Sequence, residues 1–221
     1  MTSTETYFRF LQLVNRNATN NNTDVDRGRF VRMYNDMQNR FVEWVLEKRN
    51  EDDIRDIQLL LQKDVPLSSL AEEERFVTFQ LPQNYFDFAN LNAKVKAECC
   101  PEDDIYLFET KSEDVEELWI DTNNEPSFPW RETFYHLSNN SVTLYRKNFD
   151  ITKVNLTYYR YPLQIDLDGY LRLDNSVSTN IDPEFDDKVV GRILLAMSKE
   201  FAAITNDTAS YQMDKDRLFT I

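Results

Sequence analysis

Four stretches decide the reading of this chain: ETFYHLS (132–138), SVTLYRK (141–147), KVNLTYYRYPLQIDL (153–167) and IDPEFDDKVVGRILLAMSKEFAAI (181–204). The first three alternate apolar and polar residues with period 2, the signature of half-buried strands. Val142 and Leu144 fall on one side, Thr143 and Tyr145 on the other, and Val154, Leu156 and Tyr158 repeat the alternation. Ser138-Asn139-Asn140-Ser141 reads as a tight hairpin turn, because Asn tolerates positive φ. Asp168-Gly169 reads as a second turn.

The fourth stretch is a helix. Asp182 stands at an N-cap position with Pro183 at N1, and Glu184, Asp186 and Asp187 load the first turn, where the dipole favours acids. Its apolar residues form two stripes. One is Phe185, Val189, Ile193 and Ala196; the other is Val190, Leu194, Met197, Phe201 and Ile204. Together they exceed one amphipathic face, so the helix is expected to be buried on two sides. One side would meet the β layer. The other would meet the N-terminal helices or a neighbouring subunit.

Upstream, residues 5–17 read as a short helix with Tyr7, Phe10, Leu11 and Val14 on one face. After the polar loop NATNNNTD, Thr23 and Asp26 resemble a capping box that opens a helix from about Val25 to Arg49. Its seam is Phe30, Tyr34, Met37, Phe41 and Trp44. NEDD breaks the pattern, IRDIQLLLQ resumes it, and Pro66 ends this helical section. RFVTFQLP (75–82) reads as a strand, NYFDFANL as a turn or one helical turn, and KVKAECC and DIYLFET as further strands. SEDVEELWID is a short helix that Ser112 can cap. NNEPSFPW is an irregular connection stiffened by Pro126 and Pro129. Residues 208–219 read as a charged tail helix. The expected class is α+β. Residues 1–74 would be helical, residues 75–181 β-rich and built as an antiparallel layer, and residues 182–221 C-terminal helices packing on the rest.

Composition narrows the function classes. The chain has 221 residues, and 41% of them are hydrophobic, enough for a sizeable core. Its 15 Phe and 11 Tyr suit either a Phe/Tyr-rich core or contacts between molecules. A formal net charge of −14 opposes binding to nucleic-acid phosphates. No apolar run approaches the ~20 residues that span a bilayer, and residues 1–20 lack the signal-peptide pattern. The adjacent Cys99 and Cys100 are ill placed for a mutual disulfide, so a reduced intracellular state is expected. The sequons at Asn17, Asn21, Asn139, Asn155 and Asn206 are then chance matches in an Asn-rich chain.

Catalytic patterns are sparse. His136 is the single histidine, which excludes a His-based zinc site by count. It shares a strand face with Phe134 and reads as structural. The three glycines are scattered and form no phosphate loop. Asp166, Asp168 and Gly169 resemble part of a calcium loop but lack its spacing, so a turn is the better reading. No cofactor and no catalytic or metal-ligating residue is expected. Carboxylate pairs able to hydrolyse glycosides stay open among 39 acids.

Three features carry a resemblance: the "LP-x-x-Y" turn of FQLPQNYFDF (Leu81, Pro82, Tyr85), the strand end YYRYP (158–162), and the C-terminal helix with its Tyr211-Gln212 tail. Over 75–221 the chain resembles virion structural proteins of tailed bacteriophages, most closely the head-to-tail connector or adaptor ring proteins of crAss-like phages. The resemblance implies a non-enzymatic subunit, made in the host cytoplasm, of a homo-oligomeric, dodecameric neck ring below the portal. Its partners would be the portal protein and other neck or tail ring proteins. DNA would pass through without sequence-specific binding, and no membrane is involved. The candidate contact residues are Phe185, Val190, Leu194, Met197, Phe201, Ile204, Tyr211, Leu218 and Phe219. A second candidate seam is Phe30, Tyr34, Met37, Phe41 and Trp44. A tail or baseplate structural protein is the alternative, and a small carboxylate-dependent hydrolase a further one.

Overall fold

The structure, a computed structural model, describes residues 1–15, 24–98 and 100–204. The expected tail helix 208–219, with Tyr211, Leu218 and Phe219, lies outside the described residues, as do Thr23 and Cys99. The fold is α+β. The chain forms two compact units: Leu60–Tyr161, and Met1–Leu59 together with Pro162–Ile221.

The first unit is a curled sheet. Its strands are β1 (Leu61–Pro66), β2 (Ser69–Glu72), β3 (Phe76–Gln80), β4 (Tyr85–Lys96), β5 (Asp103–Glu109), β6 (Glu132–Ser138), β7 (Ser141–Tyr145) and β8 (Asp150–Arg160). Their spatial order is β1-β8-β4-β5-β6-β7-β3-β2. Strands at opposite ends of that order are consecutive in the chain, joined only by Leu67 and Ser68. A flat sheet of this size would separate its edges by roughly 34 Å, whereas two linking residues span about 11 Å. The sheet must therefore curl until its edges meet. The linker confirms it: Leu67 N–H donates to Val154 O on β8 (2.9 Å), and Ser68 O accepts from Gln80 N–H on β3 (3.2 Å).

The curled sheet encloses one apolar core, to which Val77, Leu91, Val95, Ile105, Tyr135, Leu144, Leu156 and Tyr158 contribute. Register brings these together, with Leu91 opposite Leu156 and Val77 opposite Leu144. Most pairs are antiparallel, but β5 and β6 run parallel. Their crossover carries helix α4 (Val115–Ile120), which covers the outer face at Phe134, Tyr145, Phe108 and Phe76. Strand β7 is thus buried on both faces, which Thr143 (7% exposed) and Tyr145 (9%) show.

The second unit is helical: α1 (Ser3–Asn15), α2 (Arg27–Lys48), α3 (Glu51–Asp56) and α5 (Asp187–Ile204). Helix α2 starts at Asp26, whose Oδ2 accepts from Arg29 N–H at 3.0 Å, so Asp26 is itself the cap. It stops at Arg49, which is left-handed (φ 49°) and donates its N–H to Val45 O. Helix α5 packs on α1 and α2. Phe201 meets Phe10 edge-on at 6.0 Å, and Phe10, Tyr7 and Tyr34 surround Phe30.

Several expectations are corrected. The break expected at NEDD (50–53) falls at Arg49 and Asn50 alone: Glu51, Asp52 and Asp53 already form the first turn of α3, where they favour the dipole. The leucine run after it does not continue as helix: Gln58–Leu60 is a 3-10 turn and Leu61–Pro66 is β1, paired with β8. Of NYFDFANL (84–91) only Asn84 stays in the turn, and residues 85–91 are strand, because the long β8 offers a partner along the whole of β4. Ser112 does not cap α4; Asp114 precedes it without a side-chain cap bond. Asn139 and Asn140 do form the two-residue hairpin turn, but neither has positive φ. Helix α5 begins at Asp187, not at Pro183, with Asp186 Oδ1 accepting from Val189 N–H at 2.9 Å. Finally, α5 belongs to the helical unit, and within the sheet unit a helix not expected to cover the strands, α4, packs on the outer face.

Candidate functional site

Helix α5 shows where the first candidate contact residues go. Phe185, Val190, Leu194, Met197 and Phe201, all residues of the helical unit, are buried in the single chain, each at most 4% exposed. They are core and not surface. Ile204, at 58% exposed, is the one member of that set with an exposed side chain among the described residues. On α2 the buried face is Phe30, Val31, Tyr34, Gln38, Val42 and Val45. The expected seam drifts off this face at its C-terminal half, leaving Met37, Phe41 and Trp44 half-buried. There Phe41 stacks on Trp44 and meets Phe185 edge-on, with Arg192 lying over both α2 rings and Lys48 over Trp44. Arg192 also pairs with Asp53 and Asp56 at 3.0 Å each. This edge is a half-exposed aromatic and cationic surface.

The acids ahead of α5 have separate structural tasks. Asp182 Oδ1 accepts from Ser3 N–H (2.7 Å), capping α1. Glu184 accepts from Leu163 N–H (2.6 Å) and Asp186 caps α5. They do not converge on one point. Among the described residues no group of His, Cys, Asp or Glu could hold a metal ion.

A denser polar centre lies in the loop 162–181 of the helical unit. Two bridges, Asp166 with Ile181 and Leu171 with Val177, fold it into an irregular hairpin. Asp166 is only 4% exposed. Its Oδ1 accepts from the Tyr170 hydroxyl (2.7 Å) and Leu167 N–H (2.9 Å); its Oδ2 accepts from Arg172 (2.5 and 3.1 Å) and Thr179 N–H (3.1 Å). Desolvation works to raise its pKa, but bonds from Tyr170, Thr179 and Arg172 outweigh it and hold the carboxyl below its ordinary value. Burial first, then the bond to Asp166, pushes the Tyr170 phenol up to about 12. The hairpin is tied to α2: Asn35 exchanges two hydrogen bonds with the Ile165 backbone (2.9 and 3.1 Å), and Gln38 donates to Leu163 O. Gly169 (φ 87°) makes the turn expected of Asp168-Gly169. A Cβ at Gly28 would lie 3.1 Å from the Tyr170 ring, tighter than ordinary packing, so the hairpin passes close to α2 at this glycine.

A cleft of about 430 Å³ opens beside this centre, lined by Val31, Arg32, Asn35, Ile165, Asp166 and Leu173, among others. The Asp166 bonds are internal to the hairpin, so the carboxylate acts as a clamp rather than an acid or base. In the sheet unit a cleft of about 630 Å³ includes Lys96, Arg146 and Lys147. Arg146 is engaged by Glu72 (2.8 Å), Asp150 (3.2 Å) and Glu73 O, and Lys147 by Glu125. His136 sits half-buried with Nδ1 3.2 Å from the Tyr145 hydroxyl, and desolvation lowers its pKa. That placement fits a structural residue.

Two of the three features that carry the phage resemblance, the turn at 81–85 and the strand end at 158–161, meet in the sheet unit; the third, the C-terminal helix, belongs to the helical unit, and Tyr211 and Gln212 lie outside the described residues. Pro82 O accepts from Tyr85 N–H (3.0 Å), forming the turn, and Leu81 is buried. Tyr85 lies opposite Arg160, its ring 5.9 Å from that of Tyr158. The Tyr158 hydroxyl donates to Asn84 Oδ1 (2.8 Å), and Tyr161 N–H donates to Asn84 O (2.9 Å). The "LP-x-x-Y" turn and the YYRYP strand end are therefore one packed corner, although about seventy residues separate them in sequence. Sequence reasoning missed two features: the Asp166 clamp, whose partners are scattered over 167–179, and the exposed Trp130, hidden in an irregular connection. No family model matches this chain, and no curated protein matches it. Among the described residues, no helix is long and apolar enough to cross a membrane.

Proposed function

We propose that this chain is a virion structural protein, a subunit of a homo-oligomeric ring in the head-to-tail connector of a tailed phage. The ring sits below the portal, joins capsid to tail and leaves a channel for DNA. The observation that carries the reading is the corner where the turn after Leu81 and Pro82 brings Asn84 and Tyr85 onto Tyr158 and Tyr161 at the strand end. Two stretches that resemble connector proteins separately in sequence turn out to be one structural element.

Charge supports the same reading. Both compact units are acidic, one with 18 Asp/Glu against 10 Lys/Arg and the other with 21 against 15. A wall of that sign repels phosphates, so DNA slides instead of binding. Because the apolar stripes of α5 are consumed internally, ring contacts fall to residues exposed in the single chain. Ile204 and the half-buried Phe41–Trp44 edge are the described candidates. Electron microscopy of virions carrying an epitope-tagged chain tests the proposal. The expected result is label at the neck, in a ring of uniform copy number. Label along the tail or at the baseplate, or none on the particle, overturns it.

A further inference from the structure

The outer side of the sheet unit carries an aromatic anchor that its own chain leaves unused. Trp130 is 82% exposed and Tyr106 66%. The two are close along the backbone, because Trp130 immediately precedes Arg131, whose carbonyl accepts from Tyr106 N–H at 2.8 Å, and Tyr106 lies opposite Glu132. Tyr106 alternates with the core-facing Ile105 and Leu107, so it points outward, on the same side as Phe108.

The backbone at Trp130 is held by hydrogen bonds on both sides. The residue occupies the apex of a turn closed by Arg131 N–H to Phe128 O (3.1 Å) and by the Ser127–Glu132 bridge (2.9 and 3.1 Å). Pro129 fixes the position before it. Phe128 roots the turn in the sheet core, 6.5 Å from the Phe149 ring. Arg131 takes the left-handed region (φ 54°), which an L residue with a long side chain adopts at a cost, and pairs with Asp103 at 2.7 Å. The turn thus spends backbone strain to display an exposed indole.

The surroundings identify the partner. The segment 102–132, which runs through β5, α4 and this turn, holds eleven Asp/Glu against Lys111 and Arg131 alone. Arg131 is already paired. From outside this segment Lys147 takes up Glu125 and Arg75 lies over Trp119, which still leaves the segment strongly acidic, and an indole on it attracts Lys or Arg through its π face and through that net charge. A second copy is a poor match, since both units of the chain are acidic.

We infer that the Trp130–Tyr106 face is a docking site for a cationic amphipathic segment of another protein, with Trp130 as its central anchor. The inference does not rest on the connector reading, and its experiment is done in solution. The full chain is titrated by calorimetry with a short amphipathic Leu/Lys peptide and with its Leu/Glu counterpart. The Leu/Lys peptide is expected to bind, more weakly as salt rises. Trp130→Ala should lower affinity at least about tenfold with an unchanged melting temperature, and Trp130→Phe should retain most of it. Leu173→Ala, at an equally exposed apolar residue of the other unit (89%), should stay within about twofold. Four results each overturn the inference: no binding of the Leu/Lys peptide, equal binding of the Leu/Glu peptide, affinity of Trp130→Ala within about twofold of the parent, or self-association of the chain that Trp130→Ala abolishes. The last result would give the face to a second copy.

Discussion

Asp166 shows how one buried charge can organise a loop. It accepts five hydrogen bonds, two of them from a guanidinium, inside a hairpin whose backbone is joined by two bridges. Asp166→Asn keeps the shape but loses the charge-assisted pair and turns part of the acceptor set into a donor. A loss of about 2 kcal/mol is expected in urea unfolding. The pH dependence has a definite sign. The folded carboxyl titrates below its unfolded value near 3.8, so its contribution is complete above that value and is lost as pH falls through the folded one. The variant should therefore show a flatter stability profile than the parent below about pH 4. Tyr34 presents the opposite case. Its hydroxyl is buried with no hydrogen-bond partner among the described residues, and burial raises its pKa. Tyr34→Phe removes that polar atom and preserves the ring packing on Phe30. Its melting temperature should equal or exceed the parent's, by up to about 1 kcal/mol in stability; a clear drop would mean that the hydroxyl is satisfied.

At the scale of elements, α5 is the structural centre of the helical unit. Leu194 is fully buried, and Leu194→Ala should cost about 2–5 kcal/mol, read from the urea midpoint. Ile204→Ala, on the same helix but 58% exposed, should change the midpoint by no more than about 0.5 kcal/mol. Both stripes of this helix were legible in the sequence because 3.6-residue periodicity is a local property. The start of the helix was not. Asp182, Glu184, Asp186 and Asp187 are all chemically competent caps, and only tertiary partners assign Asp182 to α1 and Asp186 to α5. The same limit explains Leu61–Pro66: a leucine run after helix is locally ambiguous, and pairing with β8 decides it. The strands from 132 to 160 alternate cleanly and were readable, whereas the burial of Thr143 and Tyr145 required α4 to cover the second face. Of the candidate contact residues, sequence pattern identified apolar stripes correctly but could not tell a core stripe from an interface stripe, since both consist of Leu, Phe and Met. The Trp130 turn carries no periodicity at all, and its meaning emerges only from exposure.

For the whole molecule, the decisive fact is that the sheet unit is an insertion. It is one continuous segment, Leu60–Tyr161, while the helical unit is assembled from the chain on both sides of it. The two ends of the insertion are also neighbours. Leu61 pairs with Tyr159 at the start of β1 and the end of β8, so the chain enters and leaves within a strand spacing or so, about 5 Å. Each unit has its own apolar interior: the sheet core collects residues from 77 to 158, and the Phe10–Phe30–Phe201 cluster gathers only helical residues. A segment with adjacent ends and a private core meets the conditions for autonomous folding. The fragment 60–161 should therefore express as a folded domain with one cooperative melting transition and strand-dominated circular dichroism. The complementary variant joins residue 59 to residue 162 through a short Gly-Ser linker. It should retain the helical signal, because the linker need bridge only the gap that β1 and β8 already close. In that variant Asp166→Asn should destabilise by the same amount as in the full chain, since its partners Leu167, Tyr170, Arg172 and Thr179 are all retained. A fragment that stays unfolded, or a joined variant without a cooperative transition, would show instead that the two units share a core and fold only together.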